Sequence, residues 1–272
     1  MVKKIANGER VVPENIKTRY EYMLYIRHLF AYETVCQMLP AEFTVLEIGC
    51  GEGYGANLLA KYSKEVIAID NNSFAIQHAT KKYSSNNLKF LSYDGNKLPF
   101  DNNRFDAVIS FQVIEHIEDD IKFISEVYRV LKDKGKLIFT TPNKKYRLKP
   151  GQKPWYQFHI REYDKDEFED LLETIFNKVK VSYINAPLEI YNTELKLAKL
   201  ASLVQTCDLL NLRKLISYNM KRKVIQMFSF INNLKDYSQK ERNLKNKYNT
   251  KDFFISNDET RGLDLFAICE KI

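Results

Sequence analysis

A doubly wound α/β sheet is the fold this sequence predicts. From residue 44 to 184, short runs rich in Val, Ile and Leu alternate with stretches of helical periodicity. Strands that bury apolar side chains continuously, each followed by a helix, build βαβ units and a mostly parallel sheet with helices on both faces. A glycine-rich turn joins the first run to its helix, and Asp70 closes the second run. Both features stand where open α/β sheets bind ligands, outside the carboxyl ends of their strands.

The strands are expected over 44–50, 66–71, 88–94, 105–112, 135–142 and 179–184, with helices over 55–63, 73–84, 118–131 and 166–176. Ile121, Ile124, Val127, Tyr128 and Leu131 fall on one stripe of the third helix, the spacing of a face packed on a sheet. Asp164 with Glu167 three positions on reads as a capping box opening the fourth. Residues 1–43 read as helical and aromatic-rich, with Tyr20, Tyr22, Tyr25, Phe30 and Tyr32. Residues 187–251 read as helical, amphipathic and basic, ahead of a last strand over 263–271.

With 272 residues, 44% apolar and 28% charged, the chain can form one large domain or a domain with a subdomain, and disorder is not expected. No apolar run reaches the roughly 18 residues of a membrane span. Residues 1–12 hold no apolar stretch of signal-peptide length, so a cytoplasmic location is expected. Cys36, Cys50, Cys207 and Cys269 form no C-x-x-C pair, which favours reduced thiols over a zinc ribbon or a disulfide framework. The net charge of +7 is uneven: residues 187–262 carry 14 basic and 8 acidic side chains, residues 1–186 carry 27 and 25. Such a surplus favours an acidic small partner or a membrane surface and does not by itself mark a nucleic-acid binder.

The strongest motif is Val45-Leu-Glu-Ile-Gly-Cys-Gly-Glu-Gly-Tyr-Gly55. Glycines at 49, 51 and 53 let the backbone turn tightly and approach a ligand without a Cβ clash. The helix behind them presents backbone N–H groups. Asp70, 21 residues after Gly49, is placed to accept both hydroxyls of a ribose. A dinucleotide fold spaces its glycines G-x-G-x-x-G, whereas this loop reads G-x-G-x-G and is preceded by Glu47. In that it resembles the first motif of the class I S-adenosylmethionine-dependent methyltransferases. Three further stretches resemble that family's later motifs in order: Asp94-Gly-Asn-Lys-Leu-Pro-Phe100, Phe105-Asp-Ala-Val-Ile-Ser-Phe-Gln-Val-Ile-Glu-His116, and Val130-Leu-Lys-Asp-Lys-Gly-Lys-Leu-Ile-Phe-Thr-Thr-Pro-Asn143.

The resemblance implies S-adenosylmethionine as cofactor. It assigns Glu47, Gly49, Cys50, Gly51, Gly53 and Tyr54 to the turn, and Asp70 with Asn71 to the ribose. Asp94 with Gly95 would meet the adenine, and Phe111 with Gln112 would stand where the fourth strand ends. It also implies a seven-stranded Rossmann-like sheet of order 3-2-1-4-5-7-6. The catalytic core would comprise 44–186 plus 263–272, with an N-terminal helical lid over 1–43 and a basic helical insertion over 187–262.

Residues just past strands four and five should face the methyl acceptor. They include Gln112, Glu115 and His116, then a loop with Lys144, Lys145, Arg147, Lys149 and Lys153, then Trp155, His159 and Arg161. The basic loop reads either as a solvated surface or as a phosphate clamp. Gly8-Glu-Arg10 with Pro13, Thr141-Pro-Asn143 and His159-Ile-Arg-Glu162 resemble a subgroup found with capsule and lipopolysaccharide biosynthesis. That implies O-methylation of a sugar hydroxyl on a nucleotide-linked or phosphorylated sugar. Lys144, Lys145, Arg147, Trp155 and Arg161 would hold this acceptor, with Arg10 and Tyr20 from the lid.

A sugar hydroxyl is a poor nucleophile until its proton leaves, so a general base is wanted. Of four histidines, His116 and His159 stand at the crevice and His116 is the first choice; His28 and His78 read as structural. Gln112, Glu115, His116 and His159 resemble the E-x-x-E-H metal set of some quinone and RNA-end methyltransferases, with an amide in place of the first carboxylate. An amide supplies no charge, so no metal is expected. The apolar stripe of the insertion (Leu195, Leu200, Leu203, Leu210, Leu215, Ile225, Phe228, Ile231) fits a core or a homodimer contact. Lys221-Arg-Lys223 fits a solvated face or a lipid-linked partner. The competing acceptors are a quinone or other small molecule, and RNA.

Overall fold

In the computed structural model the described residues are 11–16, 19–156, 158–207 and 247–272. Eight strands form one sheet: β1 (Thr44–Ile48), β2 (Glu65–Asp70), β3 (Leu88–Ser92), β4 (Phe105–Phe111), β5 (Leu131–Pro142), β6 (Lys178–Asn185), β7 (Phe254–Ser256) and β8 (Gly262–Glu270). The spatial order is β3-β2-β1-β4-β5-β8-β6-β7. Strands β1 to β5 pair in parallel, and β8 runs antiparallel between β5 and β6. The expected order is present with β8 as its last strand, but the count of seven is corrected to eight. Strand β7 adds to the β6 edge through Tyr183–Ser256, Ile184–Ile255 and Asn185–Phe254. Three residues show no usable periodicity, which is why a segment taken as a helical insertion hides a strand.

The helices are α1 (Arg19–Met38), α2 (Tyr54–Leu59), α3 (Ser73–Lys82), α4 (Asp120–Val130), α5 (Lys144–Arg147), α6 (Lys165–Glu173) and α7 (Leu188–Cys207). Strand alternation divides the core in two. Val45 of β1 packs with residues of α1, α2, α3 and α7, while Leu46 and Ile48 pack with α4 and α6 on the other face. On α4 the buried residues are Phe123, Ile124, Val127 and Val130. Ile121, placed on the inward stripe by spacing, lies in the first turn and is 50% exposed. The capping box at α6 is present: Glu167 N donates to Asp164 Oδ1 and Asp164 N to Glu167 Oε2, both at 3.1 Å.

The N-terminal helix α1 is tied down from inside. Arg27 is buried, with Nε 2.8 Å from Asp264 Oδ2 of β8 and Nη1 3.4 Å from Glu194 Oε1 of α7. A buried guanidinium persists only where carboxylates neutralise it, so this trio fixes α1 against the sheet and α7. No described helix is long and apolar enough to cross a membrane. Residues 208–246, which hold most of the apolar stripe and Lys221–Lys223, and Arg10 lie outside the described residues.

Candidate active site

The glycine turn leaves β1 under backbone control. Gly49 N and Cys50 N both donate to Ile69 O of β2, at 2.8 and 3.0 Å, so the turn hangs on the end of the neighbouring strand. Gly49, Gly51 and Gly53 have φ of 80, 51 and 79°, a region that costs other residues about 1–2 kcal/mol. A Cβ at Gly49 would lie 2.3 Å from Val113 Cγ2, so the turn after β4 presses directly on the turn after β1. At Gly51 a Cβ would meet nothing within 4 Å. The turn is thus walled on one side and open at Gly51.

Asp70 stands beside that opening. Its Oδ2 accepts from Gly51 N at 2.9 Å and its Oδ1 from Asn72 N at 2.8 Å. These bonds hold the carboxylate at the strand end with lone pairs to spare for a diol. Asn72, not Asn71, caps α3 by accepting from Phe74 N and Ala75 N; Asn71 is exposed. Asp94 is exposed and accepts from Asn96 N at 2.9 Å, a bond that holds its pKa below the ordinary value. Beside it, Gly95 has φ 83° and open space at its Cβ position.

Beneath the turn, Glu47 is 1% exposed and accepts from Tyr32 OH at 2.5 Å. Burial pushes its carboxyl up to about 7 against the opposing Tyr32 bond, with Asp70 adding to the rise. Tyr54 packs edge-on against Tyr25 and Tyr32, and Phe111 lies 4.8 Å from the Tyr32 ring. Tyr54, Phe111 and buried Cys50 therefore join the packing between α1 and the turn, with Tyr32 of the aromatic N-terminal helix at its centre. A Cβ at Gly55 would meet the Tyr32 ring at 2.1 Å, so the glycine there admits the ring.

Past β4, Gln112 takes φ 56°, a left-handed conformation rare without glycine. It directs Gln112 N to Thr140 O at 2.8 Å and Nε2 to Thr140 Oγ1 at 3.2 Å. The chain then makes a short 3-10 turn, Ile114–His116. His116 Nδ1 donates to Phe158 O at 2.9 Å. A ring protonated at Nδ1 carries its lone pair on Nε2. His159, its side chain fully buried, donates from Nδ1 to Glu162 Oε1 at 2.7 Å, and its ring stands edge-on to His116 at 4.8 Å. Glu162 also accepts from Arg147 Nε at 3.0 Å, and the Arg147 guanidinium lies 5.1 Å from the Trp155 ring. Buried Glu115 accepts from Thr141 Oγ1 of β5 at 3.1 Å. Glu115, His116 and His159 each offer a donor atom within 4.8 Å of the others. The two catalytic candidates therefore meet, and Glu115, Thr141 and Glu162 surround them. A histidine followed three residues later by glutamate, 159 to 162, was the legible signal for Glu162.

The basic loop is not an open cationic patch. Lys144 pairs with Glu167 and Lys145 Nζ lies 2.5 Å from Glu259 Oε2. Arg147 is buried on Glu162, and Arg161 pairs with Asp120. Lys144 and Arg161 share an open cleft of about 370 Å³ with Asp120, Glu162 and Glu167. Tyr20 is half-buried near Arg27 at the start of α1, and Arg10 lies outside the described residues.

Residues 46–139 match the family model described as a methyltransferase domain. The chain is 37% identical over 166 residues to a probable S-adenosylmethionine-dependent methyltransferase of Mycobacterium tuberculosis, covering 61% of this chain and 58% of the relative. It is 31% identical over 132 residues to a fatty-acid O-methyltransferase of Mycolicibacterium smegmatis, covering 48% and 46%. The chain thus spans under two thirds of these relatives. Among solved structures it superposes on an S-adenosylmethionine-dependent methyltransferase of Thermotoga maritima with TM-score 0.57 at 18% identity, covering 97% of this chain and 98% of that one. It also superposes on the [4+2]-cyclase SpnF with TM-score 0.56 at 17% identity, covering 98% and 86%. The second likeness shows why the fold alone does not name a reaction.

Proposed function

We propose that this chain, whose residues 46–139 match the family model of a methyltransferase domain, moves the methyl group of S-adenosylmethionine to an acceptor oxygen at the ends of β4 and β5. The residues fit the cofactor: the glycine turn is open at Gly51, and Asp70 is fixed beside it by two backbone amides. When bound, the cofactor supplies an electrophilic methyl, so the protein must align an in-line attack at about 3 Å and remove the acceptor's proton. Val113 against Gly49 joins the cofactor turn to the acceptor turn, which supports that alignment.

The observation that carries the reading is His116. Its Nδ1 is committed to the Phe158 carbonyl, which leaves the basic lone pair on Nε2, beside His159 and Glu115. His116 takes the acceptor's proton, and His159, locked by Glu162, orients it. His116→Ala should lower turnover by about 10²–10⁴-fold while calorimetry finds cofactor affinity unchanged. Wild-type turnover would remove His116 as the base.

For the acceptor we propose a sugar hydroxyl, on the motif resemblance of Thr141–Asn143 and His159–Glu162. The diphosphate tether gains no support, because the cations meant to hold it face carboxylates. One observation favours a second reading, an amphipathic acceptor: Phe158 and Ile160, beside His116, are 42% and 45% exposed. Mass spectrometry of products from a panel of free sugars, nucleotide sugars and fatty acids, with labelled cofactor, decides between them. Methylation of the fatty acids alone would overturn the sugar reading.

A further inference from the structure

We infer that His78 of α3 is a positioning residue for the cofactor: its charge holds Glu52, and through Glu52 the glycine turn, in the form that faces Asp70. The inference rests on the reading of that turn as the S-adenosylmethionine site. Spacing reads His78 as structural, since the helix after the second strand lies away from the acceptor. The folded chain brings the ring to the cofactor turn instead. His78 Nδ1 lies 2.7 Å from Glu52 Oε2, with the histidine side chain 36% exposed and the glutamate side chain 1% exposed.

Glu52 stands inside the turn, between Gly51 and Gly53. A carboxylate taken out of water is costly unless cations or hydrogen bonds compensate it. The approach of His78 lacks the angle of a hydrogen bond, so charge carries the attraction. Three ties then frame the open side of Gly51. Asp70 Oδ2 accepts from Gly51 N, and Asp70 Oδ1 accepts from Asn72 N, the N-cap of α3. Six residues further along, His78 reaches back from the same helix to Glu52, next to Gly51. Gly53 also lies against α3, where a Cβ would come within 2.8 Å of Ala79 Cβ. The turn is thus set on α3 by packing at Gly53 and by charge at Glu52. One helix fixes both the turn and the diol acceptor.

The charges around the ring act on it in both directions. Lys81 and Lys82 follow three and four residues on, on the same face of α3, and disfavour its proton. Lys82 is itself paired with Glu14 of the 3-10 turn Pro13–Asn15. Tyr83 closes the helix; its phenol pKa is raised by burial, then by Tyr25 of α1 and by Glu52. Glu52 favours the histidine proton, and the partly exposed ring exchanges it with solvent. Histidine changes charge between about pH 5 and 8. The tie is therefore full at the acid end of that range and fades as pH rises, and cofactor affinity follows it.

The test is calorimetry of S-adenosylmethionine binding to the full chain and its variants, with a thermal melt of each. At about pH 6, His78→Ala and His78→Gln should weaken binding about tenfold. His78→Lys, which keeps a cation, should restore most of the loss. Glu52→Gln should cost as much as His78→Ala, and the double variant little more, because the two side chains act as one pair. Lys81→Ala changes the charge of α3 but not the pair, and should bind as wild type. Between about pH 6 and 8 the wild-type affinity should fall more steeply than that of His78→Lys. Glu47, raised to about 7, titrates in the same range in both proteins, so the difference between the two curves is the measure. Should His78→Ala melt below the assay temperature, His78→Gln and the pair of pH curves carry the same decision. Equal affinity in wild type and the neutral variants, or parallel pH curves for wild type and His78→Lys, overturns the positioning role and leaves the cofactor site standing. Wild-type chain that binds no S-adenosylmethionine overturns the cofactor reading and the positioning role together.

Discussion

The two ends of the crevice are built by different means. Around the glycine turn the contacts are made largely by main chain: Gly49 and Cys50 amides on Ile69 O, Gly51 and Asn72 amides on Asp70. Around His116 and His159 they are made by side chains from residues up to 41 apart, Thr141 on Glu115, Arg147 and His159 on Glu162, Arg161 on Asp120. A main-chain site needs particular backbone angles and so writes itself into the sequence as glycines at fixed spacing. A side-chain site needs only that distant residues meet, which the fold decides.

The difference is sharpest where a methyl group is added to each end. Gly49→Ala forces a β-carbon into the left-handed region at about 1–2 kcal/mol and into Val113 at 2.3 Å, an overlap worth about 1–3 kcal/mol more. The expected result is a clear fall in Tm together with loss of measurable cofactor binding. A tolerated alanine would mean that the main-chain end is not rigid. Asp70→Ala comes next. It removes the charged acceptor of two amides, each such bond being worth about 1.5–3 kcal/mol, and the calorimetric affinity for S-adenosylmethionine should fall about 10–100-fold. Unchanged affinity would separate Asp70 from the diol and leave only its part in the turn.

Glu47 tests the same end through pH. Its carboxyl is raised to about 7 by burial, opposed by the Tyr32 bond and raised further by Asp70, so the folded chain keeps a proton there that the unfolded chain releases near pH 4.5. Stability from this group is full below that pH and is lost as pH rises towards 7. The span corresponds to about 3 kcal/mol. Wild-type Tm should therefore fall relative to Glu47→Gln between pH 4.5 and 7 and run parallel to it above. Parallel curves throughout would show Glu47 to be ionised in the fold.

Legibility followed the same division. The alternation of strands and helices, the capping box at Asp164 and the left-handed turn at Gly49, Gly51 and Gly53 could be read because each depends on local periodicity or on backbone angles, whereas the strand order came with the family resemblance. Strand β7 could not, since three residues paired to β6 carry no pattern of their own. Glu115, His116 and His159 were legible as residues past strand ends, but the bonds of Thr141 to Glu115 and of Glu162 to His159 and Arg147 appear only when β5 and the segment before α6 come alongside. The loop of lysines misled for a related reason. Sequence shows the cations at 144, 145 and 147, while their acids stand at 162, 167 and 259.

That loop gives the smallest effect and the finest test of the comparison. Lys144 is 31% exposed beside Glu167 and Lys145 60% exposed beside Glu259, and the Glu259 bond raises the Lys145 pKa. Exposed pairs of this kind contribute little, because water and salt screen them and two long side chains must be ordered to make them. A phosphate would have to displace Glu167 and Glu259 to use these ammonium groups, and the exchange of one anion for another gains little. Lys144→Ala with Lys145→Ala should therefore change KM for a nucleotide sugar less than about twofold and leave the ratio to KM for the free sugar as it was. A tenfold rise confined to the phosphorylated acceptor would show that the acids give way, and the acceptor end would then be partly a charge-reading site whose cations the resting fold holds in reserve.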